Sequence, residues 1–317
     1  MRVCIGSEHF PCEDRGCVLT IGNFDGAHLG HRAVLGSAIE RAKGLGVAAV
    51  AYSFDPHPRR VLDPKRAQPL LMTHAQLEFA LEELGIALLI REPFTLEFAS
   101  MMPEAFLREI IGARIEPREL FVGRDFHFGK GRGGSGETLA RLAPTLGIRV
   151  VIVPEVQAGG SDVSSTRIRK AIGEGNVEEA ALCLGHPYVV SGRVVEGDRR
   201  GMEIGFPTAN LSPENELLPA RGVYATRVWL LDADGRRSPD AQAAVTNVGT
   251  RPTFGAGELL TEVHLLEFEG DLYGKRIEVE FHARLRGERR FPDVEALKSQ
   301  IAADVEEARG ILEVVAG

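Results

Sequence analysis

The spacing of apolar residues changes character near residue 185, and that change most constrains the fold. Before it, short apolar runs alternate with segments of helical period. Cys17–Ile21, Val47–Phe54, Ile86–Ile90, Leu120–Val122 and Arg149–Val153 read as strands; His31–Leu45 and Thr73–Leu84 read as helices. This order predicts a Rossmann-like parallel sheet with helices on both faces. Ligands on such sheets sit beyond the carboxyl ends of the strands. Two short helices, Arg167–Gly173 and Val177–Leu184, follow, and Gly185-His186-Pro187 interrupts them. Beyond it, Arg276–His282 alternates polar and apolar strictly, and Val223–Leu231, Ala243–Val248 and Glu262–Phe268 also read as strands. That pattern predicts an antiparallel barrel or sandwich. A final helix carries a stripe of Val294, Leu297, Ile301, Val305 and Leu312, with Asp304, Glu306 and Glu307 mostly off it. A length of 317 residues suits two domains, expected at 1–185 and 186–317.

The net charge of −8 argues against a nucleic-acid surface, which needs clustered Lys and Arg. Cys4, Cys12, Cys17 and Cys183 have no metal-ligand spacing and are expected as thiols in a reducing cytoplasm. Residues 1–16 are polar, so a signal peptide is not expected. No apolar run approaches a membrane span.

Gly22-Asn23-Phe24-Asp25-Gly26-Ala27-His28-Leu29-Gly30-His31 opens the first candidate site. Its glycines allow tight turning and close approach of backbone to a ligand. His28 and His31, three apart at a helix start, can share a face where free N–H groups favour anions. Ser164-Ser165-Thr166, followed by Arg167 and Arg169, reads as a second helix start with hydroxyl caps and basic groups that reach a polyphosphate. A nucleotide held in this way suits attack on its α-phosphorus with pyrophosphate leaving, and no protein nucleophile is needed. The stretch Gly129–Gly136 looks like a phosphate loop but lacks the Gly-Lys-Ser/Thr ending; it is expected as a mobile loop beside this site.

The decapeptide resembles the HxGH nucleotidyltransferases. With Asp55-Pro56-His57-Pro58 and Val122–Gly129 it is similar to the FMN adenylyltransferase module of bacterial bifunctional FAD synthetases. Class I aminoacyl-tRNA synthetases use a related motif, but this chain has neither a basic tRNA-binding region nor Lys-Met-Ser-Lys-Ser. The resemblance implies an ATP site of Gly22, Phe24, Asp25, Gly26, His28, His31, Ser165, Thr166 and Arg169, with the two histidines on the phosphates.

The second candidate site is Gly201-Met202-Glu203-Ile204-Gly205-Phe206-Pro207-Thr208-Ala209-Asn210. In an extended segment Thr208 and Asn210 point to one face, and their oxygens are hard donors suited to Mg²⁺ on a nucleotide phosphate. Gly201 and Gly205 allow the backbone to wrap phosphates. Glu262 lies on a strand, where a carboxylate can accept a hydroxyl proton.

This half closely resembles riboflavin kinase, through Gly201–Asn210, Gly222–Ala225, Asn247–Phe254, Glu262–His264 and Asp271–Gly274. Arg286 with Phe291, and Gln300 with Asp304, fit its C-terminal pattern. The resemblance implies a six-stranded barrel binding flavin and MgATP. It makes Glu262 the base, puts Thr208 and Asn210 on metal and phosphate, and leaves Gly201, Gly205 and Pro207 in the ATP loop. Glu196, Met202 and His186 depart from residues common in that family.

Together the two resemblances imply conversion of riboflavin to FMN and then FAD, with ATP and Mg²⁺ serving both steps. One active domain beside a degenerate partner, or a flavin- or nucleotide-sensing binding protein without turnover, are the alternatives.

Overall fold

The computed structural model describes residues 1–197, 204–250 and 259–316. It divides into two compact units, 1–69 with 74–164, and 70–73 with 165–317.

The first unit is built on a parallel sheet. Its strands are β1 (Arg2–Ile5), β2 (Val18–Ile21), β3 (Ala49–Asp55), β4 (Leu88–Pro93), β5 (Glu119–Gly123) and β6 (Arg149–Val153), in the order β1-β4-β3-β2-β5-β6. Every pairing is parallel. Successive strand residues feed opposite faces, as period two requires. Val18, Ala49, Ala51 and Leu89 pack against helices α1 (Leu29–Leu45) and α2 (His74–Leu84). Leu19, Val50, Tyr52 and Leu88 pack on the other side, with the helical segment Phe106–Ile115. Helices therefore cover both faces, as expected.

The second unit begins with helices α3 (Ser165–Glu174) and α4 (Val177–Leu184). The strands that follow are β7 (Tyr188–Val195), β8 (Ala209–Pro213), β9 (Gly222–Leu230), β10 (Gln242–Thr250), β11 (Leu259–Leu265) and β12 (Arg276–Arg286). They close a barrel in the order β7-β8-β11-β10-β9-β12, antiparallel throughout. The barrel, not the sandwich, is the outcome. Its inside holds Tyr224, Thr226, Thr246, Val263, Val279 and Phe281, all fully buried. Helix α5 (Val294–Ala316) covers part of the outside, where Val305, Ala308 and Leu312 meet Val223, Ala225, Val245 and Leu266.

Two expectations for α5 need correction. Val294 is exposed, because it heads the helix ahead of the packed stripe. Asp304 is buried, because Arg286 reaches it through two parallel N–H···O bonds, Nε–Oδ1 at 3.0 Å and Nη2–Oδ2 at 2.8 Å. Gln300 adds a third donor at 2.9 Å, and the Arg286 guanidinium lies 5.6 Å from the Phe291 ring centre.

A charged row on β12 makes the barrel sensitive to acid. Burial works against ionisation of Glu280. The His282 ring nitrogen 3.6 Å away and the charge and hydrogen bond of Arg237 outweigh it and hold the carboxyl at about 2. Arg237 also donates to Glu278 at 2.7 Å and stacks 5.1 Å from the Trp229 ring. A depressed carboxylate stabilises the fold above its unfolded pKa and loses that contribution as pH falls toward its folded value. The window is therefore from about 4.5 down to about 2. Arg237→Ala should raise the midpoint of acid unfolding and cost on the order of 2 kcal/mol at neutral pH, less than a fully buried pair because Arg237 is partly exposed. Trp229 is the only tryptophan, so its fluorescence reads barrel unfolding directly. An unchanged acid midpoint would mean that Arg237 does not hold the Glu280 charge.

Candidate active sites

The loop from Gly22 to His28 leaves the carboxyl end of β2 and enters α1. Its path is tightly determined. Phe24 and Ala27 take positive φ, 47° and 40°, which ordinary side chains adopt only where their surroundings enforce it. Phe24 is buried in the core against α1, so any contact it makes with a ligand is through its backbone. Its ring also meets His31 edge-on at 5.6 Å. A Cβ at Gly22 would lie 2.9 Å from the Phe24 ring, so only glycine fits there. Asp25 is buried, and Gly26 supplies a φ of 88°.

His28 is the N-cap of α1 and is buried; its Nδ1 accepts the backbone N–H of His31 at 3.2 Å. A nitrogen that accepts carries no proton, so neutral His28 holds its proton on Nε2 and is a fixed donor there. The two imidazoles stack, with centres 3.6 Å apart and planes 16° apart. Gly30 makes room for this pair, since a Cβ would come within 3.2 Å of the His28 ring. The structure thus brings His28 and His31 together on the first turn, as the spacing predicts.

Ser165 and Thr166 open α3 and Arg169 stands on its second turn; all three belong to the second unit. Arg167 does not share their place: its guanidinium is engaged by Glu179 of α4 at 2.6 Å. The segment Gly129–Gly136, expected as a mobile loop, forms a turn with local hydrogen bonds. Lys130 N–H donates to Met101 O at 2.8 Å, Gly129 packs on Pro103, and Ser135 caps the next helix.

Six aromatic residues were not anticipated as a group. Phe54 is the last residue but one of β3, Phe94 follows β4 and Phe126 follows β5, so all three stand at the carboxyl edge of the sheet. Phe54, Phe94, Phe98, Phe106, Phe128 and Phe126 form a chain of ring contacts 5.5–6.1 Å apart. Phe54, Phe98 and Phe126 are only half-buried. The signal in the sequence was weak because the rings come from four separate segments.

On the barrel, Asn210 pairs in register with Val195 and Glu262, and Glu262 pairs with Asn247. Registered residues on neighbouring strands share a face. Their neighbours Leu211, Thr261, Val263, Thr246 and Val248 fill the inside, so the row Asn210–Glu262–Asn247 lies outside. Asn247 Nδ2 donates to Glu262 Oε2 at 3.3 Å. Asn247 is the residue sequence reasoning left without a role. Asn210 is buried under Gly197, where a Cβ would overlap its amide at 1.8 Å. Thr208, half-buried, immediately precedes β8, two residues before Asn210. Gly205 has a φ of 88°. The Pro207 carbonyl accepts from His264 Nδ1 at 2.8 Å, which fastens the loop to β11. Gly201 and Met202 lie outside the described residues; Glu196 is exposed, and His186 Nδ1 meets the Pro187 carbonyl at 2.8 Å.

Among the described residues no cluster of three His, Cys, Asp or Glu side chains could cage a metal. The hydroxyl, amide and carboxylate oxygens of Thr208, Asn210 and Glu262 fit a hard divalent cation that shares its shell with phosphate oxygens. Among the described residues no helix is long and apolar enough to cross a membrane.

Comparison with known proteins agrees with both halves. A family model described as FAD synthetase matches residues 11–167, and one described as riboflavin kinase matches 184–312. A bifunctional riboflavin kinase/FMN adenylyltransferase from Pseudomonas fluorescens is 38% identical over 98% of this chain and 98% of its own length. The protein so described from Escherichia coli K12 is 37% identical over 93% of this chain and 92% of its own. A crystal structure described as a macrolide-efflux protein from Streptococcus pneumoniae superposes with a TM-score of 0.88 at 30% identity, covering 98% of this chain and 99% of that one.

Proposed function

Since this chain belongs to the family of bifunctional riboflavin kinase/FMN adenylyltransferases, we propose that its chemistry is carried by the histidine pair after β2 and by the Glu262 row on the barrel. The enzyme phosphorylates riboflavin to FMN with ATP, then adenylylates FMN to FAD.

In the kinase step the riboflavin 5′-hydroxyl oxygen attacks the γ-phosphorus, its proton passes to Glu262, and the bond to ADP breaks. Asn247 orients the carboxylate by its hydrogen bond. Thr208 and Asn210 hold the nucleotide's divalent ion, which we take to be Mg²⁺. When bound, the ion neutralises phosphate charge. Gly201, Gly205 and Pro207 shape the loop around the phosphates.

In the adenylyl step a phosphate oxygen of FMN attacks the α-phosphorus of a second ATP, and pyrophosphate leaves. His28 and His31 donate to the phosphate oxygens. Gly22, Phe24, Asp25 and Gly26 bring backbone close to the nucleotide. Ser165, Thr166 and Arg169 bind the triphosphate or the departing pyrophosphate. The half-buried rings of Phe54, Phe98 and Phe126 offer an apolar surface to the isoalloxazine ring.

The observation that best supports this assignment is the registered row of Asn210, Glu262 and Asn247, which sets two amides beside one carboxylate. We place the functional boundary near Gly185, where the match to the riboflavin kinase family begins, although α3 and α4 group with the barrel. The enzyme acts in the cytoplasm, where ATP is abundant and its four unpaired thiols stay reduced.

The test is a time course with riboflavin, ATP and Mg²⁺, the flavins being separated by chromatography. FMN should rise first and FAD follow. EDTA should stop both steps, and Mg²⁺ should restore them. A step that persists in EDTA would remove the metal from that site.

A further inference from the structure

Helix α3 carries Ser165, Thr166 and Arg169 at its start, and its far end is fastened to the kinase barrel. Arg284 of β12 does most of the fastening. Its Nη1 donates to the Glu174 carbonyl at 3.2 Å, and its Nη2 donates to the Arg221 carbonyl at 2.6 Å. Its backbone N–H donates to Glu178 Oε1 at 3.3 Å, which brings in α4. One guanidinium thus joins the last turn of α3 to the strand entering β9. A cation at a helix C-terminus also answers the helix dipole.

The neighbours leave this joint little slack. Gly175 follows the helix with φ at 79°, and a Cβ there would lie 2.9 Å from Arg284 Cζ, Arg284 Nη1 and Tyr224 Oη. Tyr224 is fully buried, and its hydroxyl donates to the Ala220 carbonyl. Ala220 N–H donates in turn to the Ile172 carbonyl at 3.0 Å. Ile168, Ala171 and Ile172 bury the inner face of α3.

We propose that Arg284, a residue of the kinase barrel, is a positioning residue for adenylyl transfer, because it sets the tilt of α3. The proposal rests on the roles given above to Ser165, Thr166 and Arg169. A ten-residue helix is about 15 Å long, so a tilt of about 4° at its anchored end moves its start by about 1 Å. A misplacement of about 1 Å in a phosphate-handling group can cost ~10²-fold in rate. Arg284 has no place in the kinase row, which lies across β8, β11 and β10.

The experiment measures the two half-reactions separately on the full chain. Arg284→Ala should lower kcat for FMN adenylylation between about tenfold and 10²-fold. Riboflavin phosphorylation should stay within about twofold, with the urea midpoint by Trp229 fluorescence unchanged. Arg284→Lys should recover only part of the loss, since one ammonium does not reproduce the fork that spans two carbonyls. Equal loss in both reactions with a lowered urea midpoint would make Arg284 merely structural and overturn the proposal. Arg169→Ala separates the premise from the inference. If it leaves adenylylation intact, the assignment of α3 to that reaction fails. If it impairs adenylylation while Arg284→Ala does not, only the positioning role fails.

Discussion

Glu262→Gln should lower riboflavin phosphorylation by ~10²–10⁴-fold, the usual range for loss of a general base, and leave FMN adenylylation within about twofold. Glutamine keeps the shape of the side chain and an oxygen that can accept from Asn247 Nδ2, so the row on the barrel stays assembled. What it loses is the ability to take a proton from the attacking hydroxyl. Loss of negative charge beside Asn210 also weakens any cation held there, and this raises the KM for MgATP. The two effects separate kinetically: the base contributes to kcat, the ion site to KM. Riboflavin and FMN are supplied in separate assays, and FMN and FAD are quantified by chromatography. A variant that phosphorylates riboflavin at the normal rate would refute the base. Equal damage to both steps would refute two chemically independent sites.

The sheet and the barrel were legible because their cores obey simple periods. Each buried strand of the first unit reads as an apolar run, and β12 alternates without a break from Arg276 to His282. Strand β1 was not legible: Val3 and Ile5 are exposed on the sheet edge, so its apolar residues carry no burial pattern. Strand β7 was missed for another reason, since Ser191, Gly192 and Arg193 interrupt its apolar residues while backbone pairing to β12 and β8 holds it. Asp304 reads as a surface acid until Arg286, 18 residues away, is seen to pair with it.

The sites divide in the same way. The relation of His28 to His31 was legible because one helix turn sets it. Asn247 depends on the pairing of β10 with β11, and pairing is not written locally. Gly197 likewise gives no sign in sequence that it lies against Asn210. The aromatic group at the sheet edge needs four segments to converge before it exists. Composition could not supply that convergence.

His28→Ala should lower FAD formation from FMN by ~10²-fold or more, which matches ~3–4 kcal/mol for a preorganised donor, and should spare riboflavin phosphorylation. Alanine removes three things at once: the Nε2 donor, the N-cap acceptor for His31 N–H, and the stacking partner of the His31 ring. Loss of the cap alone costs about 1 kcal/mol of helix stability, so the alanine variant confounds anchoring with chemistry. His28→Asn separates them. Asparagine is among the best N-cap residues, so α1 keeps its start, while the donor at the imidazole position is gone. If donation to phosphate is the role, the asparagine variant stays nearly as slow as alanine although its thermal stability returns. If asparagine restores the adenylyl rate along with stability, His28 serves the fold of the loop and the transition-state role fails. Gly30→Ala gives an independent check, because a Cβ 3.2 Å from the ring presses on His28 without removing any donor. A loss of adenylylation there, smaller than that of His28→Ala and with the kinase unaffected, identifies the placement of the imidazole as what the reaction requires.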